Sequence, residues 1–285
     1  MSIQQTVSYV LTLSCPDRPG IVHAVSGLLA TNGANIVESQ QYGDPISNLF
    51  FMRVEFETNI SKEVLETKLV AVSAEFSMSW KLHIANVPTK TLIMVSTAAH
   101  CLNDLLFRQH TGELGINVAA VVGNHKTLQP LADFYHQPFH HIPISPQTKP
   151  QAQDQLREII ESNGIELIVL ARYMQVLSDD FCRDYEGRII NIHHSFLPSF
   201  KGARPYHQAH SRGVKLIGAT SHYVTADLDE GPIIEQDVTR VNHSHNANEL
   251  VSMGQDVERQ VLSRAVRWHV EHRILLNGDK TVVFQ

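Results

Sequence analysis

Asn191 and His193 stand two residues apart in the stretch Arg188-Ile-Ile-Asn191-Ile-His193-His194-Ser195-Phe-Leu-Pro198. Arg188 to Ile192 is strand-like, and in a strand residues two apart emerge on the same face. An amide there can donate to a developing oxyanion, and an imidazole beside it can move a proton near neutral pH. Alone, Asn-x-His is a common structural pairing. A second stretch gives it a chemical context: His222-Tyr-Val-Thr-Ala-Asp227-Leu-Asp229-Glu230-Gly231-Pro232, after the β-rich run from Lys215 to Ser221. Its loop carries Asp227, Asp229 and Glu230, any one of which could orient His193 and hold a water. Spacing does not choose among the three.

Other chemistries find less support. The chain has 17 histidines, including His140-His141, His193-His194 and His243-x-His245, but no HExxH and no Cys/His spacing of a structural zinc site. No metal is expected. If the strand continues, His194 points away from His193 and is structural. Cys101, beside His100, reads as a buried cysteine at a helix start rather than a nucleophile. The Gly-x-Ser-x-Gly elbow of serine hydrolases is missing.

The elements that must position these residues form an α/β pattern. TLIMVS (91–96), INVAAVV (116–122) and IELIVLA (165–171) are apolar runs, and with a short strand from His140 to Ile144 they alternate with helical stretches around Leu102–Gln109, Leu128–Tyr135 and Ala152–Asn163. That alternation predicts a doubly wound, mostly parallel sheet, with ligands at the carboxyl ends of the strands. Asn246 to about His272 reads as one long packing helix. Residues 8–84 instead read as βαββαβ, a ferredoxin-like order. Phe50, Met52, Val54 and Phe56 alternate with Arg53 and Glu55, as in a half-buried antiparallel strand. Val87 to Lys90 is a plausible linker, so the expected domains are 1–88 and 89–285.

With 285 residues, 43% hydrophobic and 18% charged, the chain suits two globular domains. A net charge of −6 disfavours nucleic acid as a partner. No apolar run approaches 18 residues, and the start lacks a secretory pattern, so neither membrane nor export is expected. Three widely spaced cysteines fit a reducing cytoplasm.

Two resemblances sharpen this reading. DRPGIVHAVSGLLATNGANI (17–36) resembles an ACT domain, a module that binds small effectors, often amino acids. The resemblance implies an effector near Asp17, Arg18, Gly20 and Asn35, where a turn before a helix offers backbone N–H groups to a carboxylate. NIHHSFLP followed by HYVTADLDEGPII resembles the folate-dependent formyltransferases, as do ARYMQVLS (171–178) and FKGARPYHQA (200–209). With the ACT-like front, the whole chain resembles the formyltetrahydrofolate deformylases. That implies Asn191, His193 and Asp229 as catalytic residues. It also implies Met174, Gln175, Val176 and Leu177 as the segment holding the pterin of 10-formyltetrahydrofolate. The glycine-rich phosphate turn of the glycinamide ribonucleotide transformylases is replaced here by Ser96-Thr-Ala-Ala-His-Cys-Leu-Asn-Asp104, and the basic C-terminal domain of the methionyl-tRNA formyltransferases has no counterpart. Water is therefore the expected acceptor. Formate, destined for purine synthesis, and tetrahydrofolate are the expected products, with no cofactor. A homo-oligomer responding to glycine or methionine is implied. The rival readings are formyl transfer to an amine and a non-catalytic effector-binding regulator.

Overall fold

A computed structural model describes residues 6–197 and 205–285. The Pro198 turn and the 200–204 part of FKGARPYHQA lie outside the described residues. The chain divides into two compact units, Met1–Val87 with Glu271–Gln285, and Pro88–Val270.

The first unit begins with β1 (Val7–Pro16), α1 (Ile21–Thr31), β2 (Asn35–Asp44), β3 (Leu49–Thr58), α2 (Lys62–Phe76) and β4 (Ser79–Ile84). The four strands form an antiparallel sheet in the order β2-β3-β1-β4. Gly20 precedes α1 with φ 98°, a left-handed conformation that glycine adopts without a side-chain penalty. The helix then buries Ile21, Val25 and Leu29 against Leu11, Leu13 and Phe56 of the sheet core. This is the expected βαββαβ unit.

In the second unit, β5 (Thr89–Val95), α3 (His100–His110), β6 (Ile116–Gly123), α4 (Gln129–Phe134), β7 (Phe139–His141) and α5 (Lys149–Asn163) come first. They are followed by β8 (Leu167–Leu170), α6 (Asp179–Asp184), β9 (Ile189–His193), α7 (Pro205–Ser211), β10 (Leu216–Tyr223), β11 (Ile233–Arg240) and α8 (Ala247–Val270). The seven-stranded sheet runs β11-β10-β9-β8-β5-β6-β7. Strands β5 to β9 are mutually parallel; β10 and β11 are antiparallel. The chain builds outward from β5 through β6 and β7, then returns to build the other side through β8 and β9. The crevice where the winding reverses lies at the carboxyl ends of β5 and β8, the usual ligand position in such sheets. Leu92 to Val95 and the whole of β8 are buried, which explains their near-continuous apolar sequence.

Helix α8 starts at a reciprocal cap. Asn246 Oδ1 accepts from the N–H groups of Asn248 and Glu249 at 2.9 and 3.0 Å, and Glu249 accepts from the Asn246 N–H at 2.6 Å. Gly254 lets Tyr206 of α7 lie against the helix: a Cβ there would sit 2.1 Å from the ring.

After α8 come β12 (Ile274–Asn277) and β13 (Lys280–Val283), a hairpin grouped with the first unit. The domain expected over 89–285 thus ends, as a compact unit, at Val270. The regrouping also explains Arg53, which alternation placed in solvent but which is 2% exposed. Its guanidinium lies 2.5 Å from Glu38 and 3.0 Å from Glu55, and donates to the Glu271 carbonyl. Arg273 reaches Glu38, and Asn277 reaches Asp44 at 2.8 Å. Residues from the end of the chain therefore cover this part of the sheet, which a local period of two could not reveal.

Gly254→Ala should destabilise the second unit by about 1–3 kcal/mol, the usual cost of forcing volume into a packed contact. Thermal unfolding checks this; an unchanged midpoint would mean that Tyr206 is not held against α8.

Candidate active site

Asn191 and His193 lie on β9 with alternate residues facing the same way, and the register sets Asn191 opposite His222 on β10. The Asn191 Nδ2 is 3.2 Å from His222 Nε2. His222 Nδ1 is 2.8 Å from the Tyr223 carbonyl. A carbonyl only accepts, so His222 carries a proton on Nδ1, and in the neutral ring Nε2 accepts from the Asn191 amide. This pins the amide and leaves its second N–H free of that contact.

The loop after β10 delivers one carboxylate. Asp229 adopts φ 58°, a left-handed turn position that Asp tolerates better than most residues. Two residues later Gly231 passes so close to β10 that a Cβ would lie 1.9 Å from the Tyr223 oxygen. The Tyr223 N–H donates to the Pro232 carbonyl at 2.9 Å, closing the loop. These contacts turn Asp229 inward, while Asp227 and Glu230 are exposed. Asp229 Oδ2 is 3.2 Å from His193 Nδ1, and Oδ1 is 3.7 Å from His222 Nε2. The hydrogen bond from His193, with the His222 ring close by, holds the Asp229 carboxyl well below its ordinary range, against an opposing push from burial. With Nδ1 donating to Asp229, His193 presents Nε2 as its basic nitrogen. That atom is buried and has no hydrogen-bond partner among the described residues.

The 174–177 segment follows β8. The Met174 N–H donates to Ser96 Oγ at 2.9 Å, which ties this loop to the end of β5. Leu177 is buried, whereas Met174 and Val176 are 59% and 56% exposed. Met174, Gln175, Val176 and Leu177 line a cavity of about 610 Å³ that also contains Asn191, His193 and Asp229. The volume suits a drug-sized or cofactor-sized molecule. The structure thus brings together all seven residues expected there.

Sequence reading missed another part of the cavity lining. Glu258, on the helix expected only to pack, is 1% exposed. It binds His100 Nε2 at 2.7 Å and the Tyr206 hydroxyl at 2.6 Å, with Arg172 Nη1 at 3.4 Å. Burial pushes its carboxyl up, but His100, Arg172 and Tyr206 together outweigh burial and hold it below the ordinary value. An isolated Glu on a helix gives no sequence signal of such partners. His194 was expected to point away. The strand ends at His193, however, and the two rings lie 5.3 Å apart, with His194 also lining the cavity. His100, Cys101 and Glu258 offer donor atoms within 4.8 Å of one another. Arg172 beside the same Glu258 oxygen already supplies a cation, and burial pushes the Cys101 thiol well up, so this trio is a poor cation site.

In the first unit, Asp17 and Gly20 flank the β1–α1 turn. The Asp17 carboxylate approaches Gly43, near the end of β2, and Arg18 stacks on Phe76 while donating to the Glu75 carbonyl. Asn35 does not join them. It opens β2 opposite Glu57, and Gly43 is eight residues further along, about 25 Å at the usual rise per residue. Asp17 and Asn35 could share a ligand only if they came from two copies of the chain.

Comparisons with known proteins agree with both units. Residues 89–266 match a family model described as formyl transferase, and residues 9–68 match one described as an ACT domain. The chain is 51% identical over 286 residues to a formyltetrahydrofolate deformylase of a Corynebacterium strain, covering 99% of this chain and 100% of the relative. It is 47% identical to the Bacillus subtilis protein of the same name, covering 96% and 93%. A crystal structure of the formyltetrahydrofolate deformylase from Burkholderia mallei superposes with a TM-score of 0.94 at 50% identity, over 98% of this chain and all of the other.

One pH effect follows from the cavity wall. Burial first, then the charge of Arg172, lowers His194 from 6.5 to about 4. Between those values the unfolded chain binds a proton that the folded chain refuses, so this residue makes stability fall as pH drops from about 6.5 towards 4. Chemical denaturation across that window should show a shallower slope in His194→Gln. An identical slope would mean that His194 is not held neutral.

Proposed function

The chain belongs to the formyltetrahydrofolate deformylase family, and from that premise we infer that it hydrolyses 10-formyltetrahydrofolate to formate and tetrahydrofolate. The observation that carries the mechanism is the His193–Asp229 contact of 3.2 Å, with His193 Nε2 otherwise unpartnered beside Asn191. Met174 to Leu177 hold the pterin, with the exposed Met174 and Val176 side chains as its apolar slot. The formyl carbon then lies near Asn191 and His193. His193 Nε2 takes a proton from water as the oxygen attacks, and Asp229 stabilises the imidazolium. The Asn191 amide donates to the oxyanion. When the C–N bond breaks, His193 returns the proton to the folate nitrogen. Formic acid then ionises, releasing one proton to solvent. The reaction as written needs neither metal nor redox cofactor.

Water is the acceptor best supported by the stretch after β5. The 96–104 stretch has no glycine for close phosphate approach. Its His100 is committed to Glu258 and so is not free to bind a phosphate. Three buried free thiols support a cytoplasmic enzyme, and no described helix is long and apolar enough to cross a membrane.

The ACT unit supports regulation by an amino acid such as glycine or methionine. The separation of Asp17 from Asn35 favours a site shared between two copies, and hence a homo-oligomer. An effector that distinguishes two conformations with a coupling of about 1–3 kcal/mol shifts affinity about 5–150-fold.

With 10-formyltetrahydrofolate alone, the enzyme should release formate, at a rate unaltered by glycinamide ribonucleotide; a formylated ribonucleotide would overturn water as acceptor. His193→Ala and Asp229→Asn should each lower kcat by about 10²–10⁴-fold. Asn191→Ala should lower it by about 10²–10³-fold, and Asp227→Asn only slightly. A severe loss in Asp227→Asn would show the wrong carboxylate to have been chosen. For regulation, Asp17→Ala should keep basal turnover and lose amino-acid sensitivity. Wild-type turnover that is flat across the common amino acids at millimolar concentration would leave the first unit as an assembly device.

A further inference from the structure

Arg172 is not used by the hydrolysis described above, yet it lines the same cavity. It lies two residues after the end of β8 and adopts φ 63°, left-handed and costly for a long side chain, so its surroundings must impose the conformation. Its guanidinium is mostly buried, at 17% exposure. Nε and Nη1 make no hydrogen bond to any described residue, and the nearest anion, Glu258, stands 3.4 Å away with its oxygens taken at 2.7 and 2.6 Å by His100 and Tyr206. A buried guanidinium with unmade hydrogen bonds is expensive unless a ligand completes it. The planar fork fits a carboxylate better than any other common anion except phosphate.

Position narrows the ligand. His194 adjoins the His193 ring at 5.3 Å, and both His194 and Arg172 line the cavity that holds the reacting centre. The reaction creates one new anion in this cavity. Water's oxygen becomes the second oxygen of the formyl carbon, the proton lost from formic acid leaves, and a one-carbon carboxylate must depart before the next substrate binds.

We propose that Arg172 is a receiving site for formate, taking the product carboxylate from the Asn191–His193 centre on its way out of the cavity. Glu258 tunes this site. By sharing the guanidinium it keeps Arg172 oriented, and it keeps formate binding weak enough for release. The proposal rests on the deformylase reading for the origin of the ligand. The site itself is a property of the folate-free protein, and is tested there.

The probe is sodium ¹³C-formate, titrated into the folate-free full-length protein and followed by NMR line broadening. Steady-state product inhibition is measured in parallel. Arg172→Gln should weaken formate binding and product inhibition at least tenfold, with Arg172→Lys between it and wild type. Glu258→Gln should act in the opposite sense and tighten both, a direction that general destabilisation would not give. The KM for 10-formyltetrahydrofolate should change less than threefold in Arg172→Gln. Absent formate binding in the wild type, or equal binding in Arg172→Gln, overturns the proposal. A raised KM with unchanged formate inhibition would also overturn it, assigning Arg172 to a carboxylate of the folate's glutamyl tail. Formate binding without turnover would keep the site while removing the deformylase reading.

Discussion

The catalytic unit is arranged around one hydrogen bond, from His193 Nδ1 to Asp229. It fixes which imidazole nitrogen is basic, and it keeps a half-buried carboxylate ionised where burial alone would favour its protonated form. Everything nearby serves that geometry. Parallel β9 brings His193 to the carboxyl edge of the sheet, and antiparallel β10 continues into the loop that carries Asp229 back. Gly231 allows that return because no other residue fits against the Tyr223 carbonyl. The Leu-Asp-Glu-Gly-Pro sequence is therefore a steric solution as well as a chemical one. The left-handed aspartate turns the carboxylate in, and the glycine lets the chain close behind it.

Much of this was legible in the sequence because it is local. Asn191 and His193 share a face by the period of a strand, and the buried parallel strands read as apolar runs. The choice among Asp227, Asp229 and Glu230 was not local. It depends on backbone conformation at Asp229 and on the contact between Gly231 and Tyr223, and only the family resemblance had pointed to Asp229. His194 was misplaced because alternation was extended past the strand's last residue.

The features that stayed hidden are long-range. Glu258 meets His100 across 158 residues of chain, and Arg53 meets Glu271 across 218. In both cases a buried charge is balanced by partners that no window of sequence contains, and an unbalanced one would be too costly to keep. The two cases differ in what the ion serves. Arg53 is fully committed to carboxylates and a carbonyl, and so belongs to the architecture of the first unit. Arg172 is only partly satisfied, and it lies on a cavity.

The most direct test of the His193–Asp229 arrangement is ¹⁵N NMR of histidine-labelled protein at neutral pH, with His193 assigned by substitution. The neutral ring should be protonated on Nδ1, with that proton shifted downfield by the Asp229 carboxylate and the shift lost in Asp229→Asn. A ring protonated on Nε2 instead would leave no basic nitrogen facing the cavity, and would contradict the account.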